Sequence, residues 1–207
     1  MSASNPGRGF PPDGHPDRLK WNARYAGRSA PSFTPHPLAV QALALDLPDG
    51  PVADLACGLS GSALLAAARG RQVTAVDISE VALALLGSRA RQEGLDRLIT
   101  LAHADLAAWQ PRLRSLALVL CTGFWSASVF AAAAGAVAGG GLIGWEALTA
   151  EAIQSRPALP SAWCLAPGEP ASLLPAGFTV VDQHDVPGRS PGPRRQMLAR
   201  REARTHR

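Results

Sequence analysis

Short apolar runs alternate with amphipathic stretches along most of the chain. Asp17 to Gly27 (DRLKWNARYAG) predicts a short helix stopped by Gly27, with Leu19, Tyr25 and Ala26 partly buried. A Pro-rich stretch, Pro31 to Pro37, leads into helical periodicity over Leu38 to Leu47, which ends at the turn Pro48-Asp49-Gly50. Val52 to Ala56 then reads as a strand, Ser62 to Arg69 as a helix ended by Gly70, and Gln72 to Val76 as a second strand. Ser79 caps a helix running to Glu93, closed by Gly94. Leu98 to Ala102, Leu116 to Leu120 and Leu142 to Trp145 are further strands, with a helix over Phe124 to Ala138. Alternation of this kind implies right-handed parallel β-α-β units with helices on both faces of one sheet. Phe178 to Asp182 and Gln196 to Arg201 add two strands joined by a helix-free Pro/Gly loop, Pro187 to Pro193, which suits an antiparallel hairpin at the sheet edge. The fold class expected is a doubly wound α/β sheet, Rossmann-like, with seven mostly parallel strands.

The segment Ser115 to Trp145 carries no charge and is long enough to span a bilayer. Its two short apolar runs flank an Ala-rich middle and the triplet Gly139-Gly140-Gly141, so strand, buried helix and strand is the better reading. At 207 residues, 47% apolar and 17% charged, the chain is sized and composed for one folded domain. The domain is expected over 17–203, after a disordered lead-in over 1–16 rich in Gly, Pro and Ser, and before a frayed basic tail over 204–207. The formal charge of +4 belongs to the end: residues 189–207 hold seven Arg against Glu202, while the rest is close to neutral. A broad nucleic-acid-binding face is therefore not expected, and the terminal arginines read as a solvated edge strand plus a frayed end. Cys57, Cys121 and Cys164 are odd in number and show no C-x-x-C pairing, which points to a reducing cytosol without zinc or disulfides.

Ligands of open α/β sheets bind beyond the carboxyl ends of the strands, where the strand order reverses. Strand one ends in Asp54-Leu55-Ala56-Cys57-Gly58-Leu59-Ser60-Gly61, strand two in Asp77, and strand three is followed by Asp105. A Gly-rich turn lets backbone approach a ligand closely, and a carboxylate after strand two accepts both hydroxyls of a ribose. The third acid faces an adenine amino group or orients the loop that does. A dinucleotide fits this spacing, since the turn matches G-x-G-x-x-G at two of its glycines. Asp54 favours S-adenosylmethionine instead, because an acid beside the turn opposes a pyrophosphate and suits an amine and a sulfonium.

At these residues the sequence resembles the class I S-adenosylmethionine-dependent methyltransferases. The motifs are Asp54 to Ser62 (DLACGLSGS), Val73 to Ser79 (VTAVDIS), Asp105 and Gly139 to Ile143. Trp21 to Tyr25 (WNARY), Leu165 to Glu169 (LAPGE), Gly177-Phe178 and the closing Ala199-Arg200-Arg201 are similar to the small bacterial tellurite-resistance-type branch. The resemblance covers residues 17 to 203. It implies that S-adenosylmethionine is the cofactor, with Asp54, Ala56, Cys57 and Gly58 at its methionine end, Asp77 and Ile78 at the ribose, and Asp105 and Leu106 at the adenine. Cys121, ending strand four, would line the acceptor side or serve as small buried filler, and Trp21 and Tyr25, four apart on one helical face, would cover the cofactor as a lid or pack the helix onto the sheet. The acceptor implied is a small molecule, in a cytoplasmic enzyme that needs no metal.

Ala56 and Ser60 stand where relatives carry glycine, Gly61-Ser62 where they often carry Arg-Asn, and the loop Cys121 to Trp125 lacks a His-Arg ending. These departures keep open a noncatalytic binding or scaffold protein of the same fold, and the turn keeps open an NAD-dependent oxidoreductase. Displacement from a sulfonium needs orientation and exclusion of water more than a base, so no catalytic residue is assigned. His36, between two prolines, reads as an exposed loop histidine, Trp125 as a packing residue, and His103-x-Asp105 as too short a pattern for a metal pair.

Overall fold

Val, Ile, Leu and Ala at successive strand positions leave no polar face, so the central strands must be covered on both sides. The computed structural model describes residues 11–28, 31–59, 61–187 and 192–203. Its elements run α1 (Pro16–Ala26), α2 (Pro37–Ala44), β1 (Val52–Leu55), α3 (Ser62–Ala68), β2 (Val73–Asp77), α4 (Glu80–Gln92) and β3 (Ile99–His103). They continue with β4 (Leu116–Thr122), α5 (Ala127–Ala136), β5 (Val137–Leu148), α6 (Ala152–Ser155), β6 (Phe178–Val186) and β7 (Arg194–Arg201). The strands form one seven-stranded sheet in the order β3-β2-β1-β4-β5-β7-β6. β1 to β5 are parallel, and β7 runs antiparallel between β5 and β6. That reversed strand distinguishes the sheet from the 3-2-1-4-5-6 dinucleotide order.

Alternate residues of each strand feed two cores. Val52, Val73, Ala75, Leu118, Leu120 and Leu142 pack under α2, α3 and α4. Ala53, Leu55, Val76, Val119, Ile143 and Trp145 pack against α5. There Phe130 and Trp145 meet edge-on at 5.2 Å, and Trp125 joins both rings. Trp125 is therefore a packing residue, and one of its edges reaches the surface of a hollow described below.

The uncharged segment folds as β4, α5 and β5, and among the described residues no helix is long and apolar enough to cross a membrane. α5 starts later than its apolar pattern predicts, because Ser126 takes the N-cap and accepts from the Val129 N–H. β5 starts earlier, at Val137, and passes through the glycine triplet with a register shift between Leu116 and Leu118 of β4. A Cβ on Gly141 would lie 2.8 Å from the Ala117 carbonyl oxygen, so only glycine lets the strands approach here.

The expectation of a solvated edge strand in the Arg-rich segment fails for β7. Met197, Leu198 and Ala199 are fully buried, and β6 takes the edge instead. The arginines of β7 are paired: Arg195 with Asp185, Arg200 with the Asp46 and Gly140 carbonyls, and Arg201 with the Ala134 and Val137 carbonyls. Of the expected lead-in, residues 1–10 lie outside the described residues, while Pro11 is buried and His15 occupies the N-cap position of α1. The expected tail over 204–207 also lies outside them.

Candidate active site

β1 and β4 are neighbours at the centre of the sheet, and the strand order runs outward from them in both directions, which opens a crevice at their carboxyl ends. After β1 the chain must turn sharply into α3. Ala56, Gly58 and Gly61 do this at φ of +49°, +47° and +74°. Two are glycines; Ala56 adopts the left-handed region at a cost of about 1 to 2 kcal/mol, the strain expected where a turn is held for a purpose. A Cβ on Gly58 would lie 2.4 Å from the Tyr25 hydroxyl, and one on Gly61 would lie 2.1 Å from the Phe33 carbonyl oxygen.

Asp77, at the end of β2, ties this turn to the next helix. One carboxylate oxygen accepts from the Gly58 N–H and the other from the Ser79 N–H, both at 2.8 Å. Burial pushes its carboxyl above the ordinary range, against the backbone N–H groups that favour the charge. Asp105 caps the short 3-10 turn Leu106–Ala108 by accepting from the Ala107 N–H at 2.9 Å. His15 Nε2 stands 3.7 Å from its other oxygen, so the N-terminal segment also reaches this end of the crevice. His103 turns its ring to the Ile78 carbonyl at 3.0 Å and to Glu80, away from Asp105's role.

α1 closes the crevice from above, and none of its residues is fully buried. Polar clasps hold it. Arg18 grips Glu80 with Nε at 3.0 Å and Nη2 at 2.8 Å and also pairs with Asp13, while Ser79 donates its hydroxyl to Asn22 at 2.6 Å. Arg18 draws the Glu80 carboxyl down to about 2. Trp21 and Tyr25 stack at 5.8 Å, and burial, helped by the Asp77 charge, raises the Tyr25 hydroxyl to about 12.

Three adjoining cavities lie at the carboxyl ends of the central strands. The main cleft, about 230 Å³, is walled by Trp21, Tyr25, Ala56, Asp77, Ile78, Asp105 and Leu106, and closed by Asp17, Thr122, Gly123, Phe124 and Arg194. A second hollow of about 250 Å³ lies over Ala56, Cys57 and Gly58, under Arg24 and Arg28. A third, about 110 Å³, adjoins the cleft beyond β4, between Trp21, Phe124, Trp125, Leu148 and Trp163.

Nine of the residues expected from the sequence thus meet around connected cavities. Asp54 and Cys121 do not stand on their walls. Asp54 is buried in β1 beneath the turn. Cys121 is fully buried in the α5-side core, and its thiol lies 3.8 Å from the Phe124 carbonyl, so contact between its side chain and a ligand finds no support. Burial, with the charges of Asp77 and Asp54, pushes the Cys57 thiol well above its usual range; burial does the same to Cys121.

Sequence reasoning missed a charged cluster on the far wall. Glu146 of β5 is buried and receives Arg194 at 3.2 Å, Gln196 at 2.7 Å and His36 Nε2 at 3.1 Å. Burial would raise its carboxyl, but the hydrogen bonds from His36 and Gln196 and the charge of Arg194 outweigh that and hold it below the ordinary range. His36 is therefore paired rather than an exposed loop residue. Its Nδ1 accepts from the Leu38 N–H and caps α2, which leaves Nε2–H to donate to Glu146.

Residues 52–141 match the family model described as a methyltransferase domain. No curated protein sequence matches the chain. Among solved structures, geranyl diphosphate C-methyltransferase from Streptomyces coelicolor A3(2), with S-adenosyl-L-homocysteine bound, superposes with a TM-score of 0.65 at 13% identity, over 92% of this chain and 100% of that one. TehB from Haemophilus influenzae gives 0.65 at 16% identity, over 89% and 67%. A S-adenosylmethionine-dependent methyltransferase from Geobacter sulfurreducens, bound to S-adenosyl-L-homocysteine, gives 0.58 at 21% identity, over 84% and 75%. The matched segment holds the turn after β1, Asp77 and Asp105, while α1 and β7 complete the crevice from outside it, and the chain has the fold of these solved S-adenosylmethionine-dependent methyltransferases.

Proposed function

We propose that the chain binds S-adenosylmethionine in this crevice and transfers its methyl group to a small-molecule acceptor. One observation carries the reading: the turn after β1, the acids after β2 and β3, and an aromatic hollow beyond β4 open into one continuous crevice at the switch point. The residues fit the cofactor's chemistry. Asp77 holds its carboxylate at the cleft wall through the Gly58 and Ser79 N–H groups, and a carboxylate there suits the two hydroxyls of a ribose. Ile78 and Leu106 offer apolar faces to an adenine, and Asp105 stands at its edge. The backbone at Cys57 and Gly58 floors the arm that ends in an amino acid, and Arg24 and Arg28 above it suit a carboxylate. Asp54 contributes from beneath the turn, as a buried acid behind that arm.

When bound, S-adenosylmethionine supplies a methyl group on a sulfonium. The protein's part is to hold an acceptor in line beyond Gly123 and Phe124 and to exclude water with the Trp21–Tyr25 face of α1. The test is thermal unfolding with S-adenosylhomocysteine and, separately, NADH. At a hundredfold excess over Kd a ligand stabilises by about 2.7 kcal/mol, or about 5 to 10 °C for a domain of this size. The expected result is a shift with the adenosyl ligand alone. A shift with NADH alone, or with neither, contradicts the reading.

A further inference from the structure

We infer that the acceptor is a small planar, apolar molecule bearing an anionic group, and that Arg194 receives the anion. This rests on the methyltransferase reading and adds the acceptor's class to it. Three of the chain's five tryptophans, Trp21, Trp125 and Trp163, wall the hollow beyond β4 together with Phe124. At about 110 Å³ the hollow is of single-ring scale, since a cavity of about 150 Å³ holds benzene. Aromatic walls in a chain with 5% aromatics favour a flat apolar body.

Arg194 stands where this hollow meets the main cleft. It lines the cleft, pairs in register with Leu148 of the hollow's wall, and lies against Gly123, where a Cβ would be 3.6 Å from Nη1. Its pair with Glu146 is lopsided. The Glu146 side chain is 7% exposed and both its oxygens are taken, whereas the Arg194 side chain is 25% exposed on the cleft wall. Among the described residues only Nη1 is engaged, so Nε and Nη2 remain for a ligand. Glu146 is thus a positioning residue that holds the guanidinium, with His36 and Gln196 holding Glu146 in turn. Asp77 and Asp105 lie at the nucleoside end; Asp17 and Lys20 both line the hollow, 4.0 Å apart, and the Lys20 ammonium, 4.9 Å from the Trp163 ring, offsets the Asp17 charge there.

The test is calorimetric titration of benzoate, phenyl phosphate and benzamide into the full chain saturated with S-adenosylhomocysteine, using the natural protein, R194Q and R194K. Benzoate or phenyl phosphate is expected to bind at least about tenfold tighter than the uncharged benzamide, as a charge-assisted hydrogen bond implies. Whichever anion binds tighter identifies carboxylate or phosphate as the group. R194Q, itself saturated with S-adenosylhomocysteine, should erase that preference, and R194K should recover part of it. Equal binding of benzamide, a preference that survives R194Q, or no binding of either anion at about 10 mM overturns the inference while the cofactor reading stands. If S-adenosylhomocysteine itself fails to bind the natural protein, the cofactor reading falls first and this inference with it. If R194Q loses S-adenosylhomocysteine through misfolding, R194K decides alone, by weakening the preference or by leaving it intact.

Discussion

Gly58 and Gly61 occupy the same turn and the same left-handed region, yet substituting each with alanine should have different consequences. The backbone penalty is shared, about 1 to 2 kcal/mol for an L side chain at positive φ. The steric part is not. At Gly58 the new Cβ meets the tip of Tyr25 at 2.4 Å, the far end of a side chain that can swing away on a solvent-facing helix. At Gly61 it meets the Phe33 carbonyl oxygen at 2.1 Å and its carbon at 2.6 Å, backbone that no rotamer change relieves. Gly58→Ala should therefore lose about 1 to 2 kcal/mol and stay folded, with Tyr25 displaced from the crevice. Gly61→Ala should lose more than about 4 kcal/mol, the exceptional end of single substitutions. Urea unfolding curves measure both losses, and calorimetry with S-adenosylhomocysteine on folded Gly58→Ala should show weaker binding because the lid is disturbed. Equal midpoints for the two variants, or Gly58→Ala binding as tightly as the natural protein, would refute this account of the turn.

Other expectations follow from the same geometry. Asp77→Asn keeps one acceptor oxygen but turns an amide N–H₂ toward the Gly58 or Ser79 N–H, so S-adenosylhomocysteine should bind about ten- to a hundredfold more weakly by calorimetry; affinity within twofold would refute the ribose role. The Arg18–Glu80 clasp has a depressed carboxyl, so its contribution is full above the ordinary carboxyl value of 4.5 and is lost as pH falls toward about 2. Fluorescence of a Trp21→Phe variant subtracted from that of the natural protein should therefore hold steady down to about pH 4.5 and change below it, and the same difference in a Glu80→Gln background should lack that step. Cys57 and Cys121, buried with raised thiol values, should resist a thiol reagent at pH 8 until the protein is unfolded; rapid labelling of Cys121 in the native protein would place it on an open wall after all.

The β-α alternation was readable because each central element carries its own signal: β-branched strands, Ser79 as a cap, and glycines after the helices. Asp77 and the turn after β1 were readable for the same reason, since they are local to one β-α-β unit. Arg194 and Glu146 were not. They lie 48 positions apart and meet only because β7 inserts beside β5, a pairing that no local pattern announces. An Arg-rich stretch looks solvated until its partners are known, and those partners are backbone carbonyls and acids from distant elements. Of the two places open to Cys121 at its strand end, crevice wall or core, strand pleating selects the core under α5.

The most direct test of the central claim is a crystal structure of the chain with S-adenosylhomocysteine. The account predicts both ribose hydroxyls within about 2.5 to 3.2 Å of the Asp77 carboxylate, the adenine between Ile78 and Leu106, and the sulfur directed past Gly123 toward the tryptophan-walled hollow. Ligand bound elsewhere, or seated in the crevice with its ribose out of reach of Asp77, would contradict it.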